Sequence, residues 1–451
     1  MTLPLTRPPQ RSSSQHRAPG WRGWLARRAA ALPRQRAAAL CATLEREWMA
    51  VLLAGCAVFA CVVAAISASP PQRMWGTVAA GGYGLAALVA LAGRRRAIPL
   101  AAAISTGALI APLAWMASTG TGQPEVAVVI RSAVLFLHHG TPYQSAAAIA
   151  AARGNPNVYD PYLPALAVFG IPHALLGGGL LTDPRVWFGV VFVAAFGLAL
   201  SVSRVPRPWS WTVLVTASPV VAYPLATGGD DLPVLALMCL GLALLRPDWA
   251  APARASAPPG AHATIQVVAA GVALGLAAAM KATAWPALAV ALAVVAARSG
   301  KRAAAGLMLV TLSVPLIADG PVLLAQPASV VSNTILFPLG LTKIKSPAAS
   351  VLPGHLIAAA WSWGHWVAIS LVLLAGLAVA VSLITRPPRD EQAAGWRLVI
   401  GLTVMFALAP ASRFGYIVYP LGLACWLLLA RLSTRPRQLA TSTILPRTEV
   451  R

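Results

Sequence analysis

The chain has 451 residues, 58% of them hydrophobic and 10% charged, with a mean hydropathy of +0.71. Such a composition excludes a soluble globular domain; repeated apolar runs of bilayer-spanning length point to an all-α polytopic membrane protein. The net charge of +23 does not argue for nucleic acid as a partner, because Arg and Lys gather in the tails and in every second loop, the bias that sets membrane topology.

Residues 1–46 are rich in Arg, Pro, Ser and Gln and read as a basic, mostly disordered cytoplasmic tail. The basic stretch is too long, and the first apolar run too poor in cleavage signals, for a removed signal peptide. A membrane domain over 47–431 follows. Its first spans are expected near Trp48–Ala68, Trp75–Gly93 and Ile98–Ser118, with Arg94, Arg95 and Arg96 between the last two. With the tail inside, the Arg triplet also falls inside and residues 119–160 form a first long outer loop.

Tyr162–Leu181 and Val186–Val202 are both apolar. The later basic clusters, beginning with Arg204 and Arg207, stay inside only if one of the two crosses fully and the other is re-entrant or lies flat. Further spans are expected near 209–225, 232–245, 265–280, 285–297, 303–318, 366–385, 396–409 and 416–430, about twelve in all. Residues 320–353 form a second outer loop, and 432–451 a basic cytoplasmic tail. The five cysteines, Cys41, Cys56, Cys61, Cys239 and Cys425, show no metal-ligand spacing.

Polar residues in such a chain are conspicuous, and four groups fall on the outer side. In 119–164, Glu125, Arg131, Ser132, His138 and His139 recur at steps of about seven residues, a narrow stripe on a helix lying in the membrane–water boundary. Tyr143, Tyr159, Asp160 and Tyr162 follow. A turn carries Asp230 and Asp231. Lys281 interrupts the run 265–297, which is too long for one span and is expected to break at Thr283–Pro286. Lys343 and Lys345 lie in the second outer loop, with Arg413 in the last outer turn.

Cations outside oppose the topology bias, and a phosphate or anionic lipid is their natural partner. Bland readings stand beside these: a snorkelling Lys281, an N-cap Asp230, a wet helix end at His138–His139, and solvated loop charges at Lys343 and Lys345. No nucleotide-binding loop is present.

Four segments carry a family resemblance. PEVAVVIRSAVLFLHHGTPY is similar to an acidic residue followed by an interfacial helix and a Gly-x-Pro-Tyr turn. VYDPYLPALAVFGIPHALLG, GGDDLPVLALMCLGLALL and AAGVALGLAAAMKATAWPALAVALAVVAARSGKR follow in the same order. Together they resemble the polyprenol-phosphate-mannose-dependent mannosyltransferases of glycosyltransferase family 87, in the GT-C superfamily, over about residues 119–302. The family's usual acid is Asp where this chain has Glu125. Its Gln and Asn positions in the turn are Asp230 and Asp231 here, and Ser412–Arg413 lacks the family's His pair.

The resemblance implies a GT-C-like membrane fold and transfer of a sugar, mannose foremost, from a polyprenyl-phosphate donor. The acceptor would be a glycolipid, polysaccharide or protein on the outer face, and membrane lipids are further partners. Glu125 or Asp160 would act as base, and Lys281 with Lys343 or Arg413 would meet the phosphate. The resemblance implies no particular cofactor, and a divalent cation is left open. The alternatives are a transporter or lipid flippase, and an inactive member of the same fold. The Ala-rich, Arg-over-Lys composition suggests a high-GC bacterial source.

Overall fold

A computed structural model describes residues 34–92, 97–246 and 261–432. The expected tails before Arg34 and after Leu432, the Arg94–Arg96 triplet and Arg254 lie outside them. α1 (Arg34–Ile66) begins within the expected N-terminal tail, and its span-length apolar part is Glu47–Ile66; α2 (Pro70–Leu91) and α3 (Ala97–Ser118) follow. Among the described residues, six helices are long and apolar enough to cross a membrane, and four more apolar helices are shorter. Large hydrophobic side chains such as Leu309, Leu324, Leu373 and Ile384 face outward, as expected of a lipid-facing surface. The chain is an all-helical polytopic membrane protein.

The ambiguous stretch 162–203 contains one span-length helix, α7 (Pro184–Val202). The other apolar piece is a 3₁₀ turn, Pro164–Gly170, running into the six-residue α6 (Ile171–Leu176). At about 1.5–2 Å per residue it cannot span the ~30 Å hydrocarbon core. Irregular backbone in an apolar setting needs protein partners, and they are present. The Leu163 N–H donates to Met280 O at 3.0 Å and the Ala165 N–H to Asp319 Oδ1 at 3.0 Å.

The expected interfacial helix is α4 (Pro124–His139), stopped by Gly140 in the left-handed conformation (φ 68°). It does not lay its whole apolar side on lipid. Val126, Val128, Val129 and Ala133 are buried, and α4 packs on the 3₁₀ turn so closely that a Cβ at Gly170 would sit 2.4 Å from Val129 O. Val134 and Leu137 remain exposed. A short α5 (Ala146–Ala151) leads to the strap 155–165.

After α7 the expected span 209–225 is two helices, α8 (Pro208–Ala217) and α9 (Pro219–Thr227), separated at Pro219, which cannot supply the backbone donor a continuous helix needs. Next come α10 (Leu232–Leu244), α11 (Ala261–Met280) and α12 (Trp285–Ala325). At about 1.5 Å per residue, a straight helix of α12's length would be twice the thickness of the hydrocarbon core. It instead breaks at Gly300 (φ 84°, ψ 173°), where only glycine is unstrained. α12 starts beside Lys281, Arg298 Nη1 reaches Leu245 O at 3.0 Å at the far end, and Asp319 returns to Ala165. The helix is therefore a hairpin that supplies both spans expected over 285–318.

α13 (Pro327–Val331), a π turn at Ser332–Leu336, a loop, and α14 (Pro353–Ala360) precede α15 (Gly364–Thr385), α16 (Glu391–Leu408) and α17 (Val418–Ala430). One end of the bundle ties its connections together through Arg246–Glu391 (3.2 Å), Gln392 Nε2 to Leu427 O (3.1 Å) and Trp426 Nε1 to Ser203 Oγ (3.2 Å). The opposite end holds the candidate site.

Candidate active site

Helix ends that are distant in sequence converge there. Pro124 at the first position of α4 sets the helix start and places Glu125 in the first turn. The preceding turn is clasped from two sides: Gln123 N–H donates to Thr227 O (2.8 Å), and Arg185 packs against Gly122. Arg185 is itself buried and forked onto Asp183, with Nε to Oδ1 at 2.9 Å and Nη2 to Oδ2 at 2.7 Å, while Nη1 donates to Ala226 O at 2.9 Å. The bidentate pair holds the guanidinium in place, so that its remaining nitrogen ties the start of α7 to the end of α9.

The turn after α9 needs Gly229 in a left-handed conformation (φ 83°), which brings Asp230 and Asp231 to the start of α10. Lys281 is extended (φ −150°, ψ 142°) between α11 and the 3₁₀ turn Ala282–Ala284. The break in the long apolar run thus begins at Lys281, slightly before the expected Thr283–Pro286. The ammonium lies 2.8 Å from Asp230 Oδ2 and 2.5 Å from Asp231 Oδ1, and 4.6 Å from the centre of the Tyr162 ring. Tyr419 Oη donates to Asp231 Oδ1 (2.9 Å) and accepts from Thr283 Oγ1 (2.9 Å). Burial would favour loss of the Lys281 proton, but the two carboxylates reverse that and hold it charged.

One cleft unites much of this. Its walls include Glu125, Asn157, Tyr159, Tyr162, Asp230, Asp231, Lys281, Phe337, Ala348, Arg413 and Tyr416. Tyr159 and Phe337 stack at 4.5 Å and 10°. Arg413 forms an ion pair with Glu125, whose other oxygen, Oε2, is buried without a hydrogen-bond partner. The Arg413 segment is clipped to the second loop by backbone bonds, Ser350 N to Ser412 O (3.0 Å) and Ser412 N to Ala348 O (3.1 Å).

Asp160 stands behind the wall, 3% exposed. It accepts from Ser132 Oγ (2.6 Å) and the Tyr162 N–H (3.0 Å), and its own N–H donates to Asn333 Oδ1 (2.8 Å). Burial pushes its carboxyl up to about 6, against the pull of those bonds and of Arg131. Arg131 Nη1 donates to Asn157 O at 2.5 Å, and Tyr143 Oη donates to Tyr162 O at 2.9 Å; neither residue lines the cleft.

The narrow stripe expected on α4 is therefore divided. Glu125 lines the cleft and Ser132 meets Asp160, but His138 and His139, at the far end, are exposed and away from it. Lys343 and Lys345 are likewise exposed and outside the cleft walls. Among the described residues no cluster of three or more His, Cys, Asp or Glu could hold a metal ion.

Sequence reasoning missed Arg185, Asp319, Asn333, Tyr416 and Tyr419. Asp319 stands as a lone polar side chain in an apolar stretch (PLIADGPVLL), the same signal that singled out Lys281, whereas Asn333 sits between Ser332 and Thr334 in VVSNTILF.

The sequence matches no family model and no curated protein. Among solved structures the chain is similar to the crystal structure of ArnT from Cupriavidus metallidurans in the apo state. The identity is 16% and the TM-score 0.43, over 74% of this chain and 59% of that chain, so the chain spans less than two thirds of that neighbour's length.

Proposed function

We propose that the chain is a membrane glycosyltransferase of the GT-C type. It would move a hexosyl group, mannosyl foremost, from a polyprenyl-phosphate donor to a glycolipid, polysaccharide or protein acceptor on the outer face, with both termini cytoplasmic. One observation carries the reading. Glu125, Tyr159, Tyr162, Asp230, Asp231, Lys281 and Arg413, singled out from separate stretches of the chain, line a single cleft.

The chemistry follows from these groups. An acceptor hydroxyl oxygen attacks the anomeric carbon while the carbon–oxygen bond to the phosphate breaks. The bonding pair leaves with the phosphate, and the hydroxyl proton passes to a carboxylate. Glu125 suits the proton, because Oε2 lies buried with no competing donor. Asp160 is enclosed behind Tyr159 and Tyr162 and acts as a positioning residue for the strap.

Arg413 suits the phosphate charge, since Lys281 is taken up by two carboxylates and shapes the floor. The remaining carboxylates and the stacked Tyr159–Phe337 pair suit a polyhydroxylated ring. Attack opposite the leaving phosphate inverts the anomeric centre, unlike the two-step scheme with a carboxylate nucleophile.

The test is transfer of radiolabelled mannose from polyprenyl-phosphate mannose, using the protein in its own membranes so that the acceptor is supplied. Glu125→Gln should lower transfer by about 10²–10⁴-fold without loss of folded protein. No transfer by the wild type with any polyprenyl-phosphate hexose, or full transfer by Glu125→Gln, overturns the assignment. The first outcome favours an inactive scaffold.

A further inference from the structure

The cleft walls carry three carboxylates, Glu125, Asp230 and Asp231, but two cations, Lys281 and Arg413. The two cations are not equivalent. Lys281 is 6% exposed, touches both aspartates and lies over the Tyr162 ring. Withdrawing it to serve a ligand would leave two carboxylates without a counter-ion in a largely buried site, which strongly opposes the movement. The Arg413 side chain is 38% exposed and paired with a single carboxylate, Glu125, which is 12% exposed. An anion entering the cleft therefore meets one wall cation that can turn toward it, and that cation's present partner is the carboxylate with a free buried oxygen.

We infer that Glu125 and Arg413 form an exchangeable latch: a phosphate monoester or diester on a lipid displaces Glu125 from Arg413, and the displacement frees Glu125 to accept a proton. The inference rests on the proposed reading of the cleft and adds an order to it. Until the lipid phosphate is seated, one oxygen of Glu125 is engaged by the Arg413 guanidinium. Donor binding thus precedes activation of the acceptor hydroxyl, and a water or acceptor arriving first meets a carboxylate still paired with Arg413.

The exchange needs little motion of the fold. Arg413 swings on a segment whose backbone stays clipped at Ala348 and Ser350, and Glu125 stays on the first turn of α4, anchored through Gln123 and Arg185. No bond is made or broken in the exchange; one anion replaces another on the guanidinium.

The probe is undecaprenyl phosphate, titrated into the full-length protein in lipid nanodiscs of zwitterionic lipid. If Glu125 competes for Arg413, Glu125→Gln should bind the probe about tenfold more tightly than wild type. Arg413→Met should bind it at least tenfold more weakly, and adding Glu125→Gln to Arg413→Met should change affinity less than twofold. An unchanged affinity in Glu125→Gln overturns the latch. So does the same gain in the Arg413→Met background, which would mean simple charge repulsion.

Wild-type protein gives a readout free of folding effects. The infrared difference spectrum on adding the probe should show a carboxylate band shift that is absent in Glu125→Gln, and no such shift overturns the exchange. Turnover separates this from the parent reading. Tighter binding with full turnover keeps the latch and removes Glu125 as base. Lost turnover with unchanged affinity keeps the base and removes the latch.

Discussion

Lys281 Nζ sits 2.5 Å from Asp231 Oδ1, with side-chain exposures of 7% and 15%. With Asp230 as second partner, this makes Lys281 a counter-ion to the cleft floor rather than a side chain reaching for water. Its replacement should therefore affect the fold. Lys281→Met leaves two buried carboxylates unpaired and should destabilise the protein by about 3–5 kcal/mol. Adding Asp231→Asn should recover part of that loss. Thermal unfolding in detergent checks both; a Lys281→Met protein as stable as wild type would return the residue to a snorkelling role.

Asp160 makes stability pH-dependent in a defined direction. Its carboxyl is raised to about 6 by burial, against about 3.9 when unfolded. The folded state therefore binds the proton more tightly than the unfolded one. Its contribution to stability is greatest in acid and falls as pH rises from about 4 to 6, by roughly 3 kcal/mol in all. Asp160→Asn removes the titration, so the wild type should lose stability relative to Asp160→Asn between pH 4.5 and 6.5. Parallel unfolding curves across that window would contradict the assignment.

Much of the site was legible because a lipid-facing chain makes polar residues expensive and therefore visible. Glu125 closes the polar segment 119–125 between apolar runs, the Asp230–Asp231 turn, Lys281 and Arg413 lie between apolar runs, and each lines the cleft. The non-crossing piece before α7 could also be read, because the later basic loops stay in phase only without a second crossing. Pairing could not be read. That Lys281 is neutralised by Asp230 and Asp231, or Arg413 by Glu125, depends on which helix ends meet, and no local periodicity reports it. The caps that Asn333 and Asp319 provide to the strap are tertiary for the same reason. The α4 stripe misled because one helical face passes from the cleft at Glu125, through the contact with Asp160, to solvent at His139.

Gly170 tests the packing that aims Glu125. An added Cβ would meet Val129 O at 2.4 Å and Ala133 Cβ at 2.8 Å, and backbone cannot give way as a flexible side chain can. Gly170→Ala should cost about 1–3 kcal/mol and push α4 away from the strap. Its unfolding midpoint should fall, and any residual transfer should fall further than the stability loss explains. Wild-type stability would show that α4 rides loosely on the 3₁₀ turn.

Orientation can be tested with single cysteines in a background lacking the native ones. Gly122 is too crowded against Arg185, so Thr121→Cys, in the exposed part of the same turn, is the better site. A membrane-impermeant maleimide applied to intact cells should label Thr121→Cys and spare Ser299→Cys at the opposite end. The reverse pattern would place the cleft in the cytoplasm and rule out an outer-face acceptor.

The clip between the second loop and the Arg413 segment is made by main-chain groups at Ala348, Ser350 and Ser412. Main-chain bonding is indifferent to side-chain identity. Ser350 adds a side-chain bond, its Oγ accepting from the Phe414 N–H at 2.9 Å, so residues 347–349 rather than Ser350 can be exchanged by mutation while the arginine beside them keeps its place. Ser346, Pro347 and Ala348 form that part of the cleft wall, so the molecule has an interchangeable panel set into a rigid frame. On the proposed reading, selection among substrates would drift through a handful of codons without rebuilding the frame behind the panel.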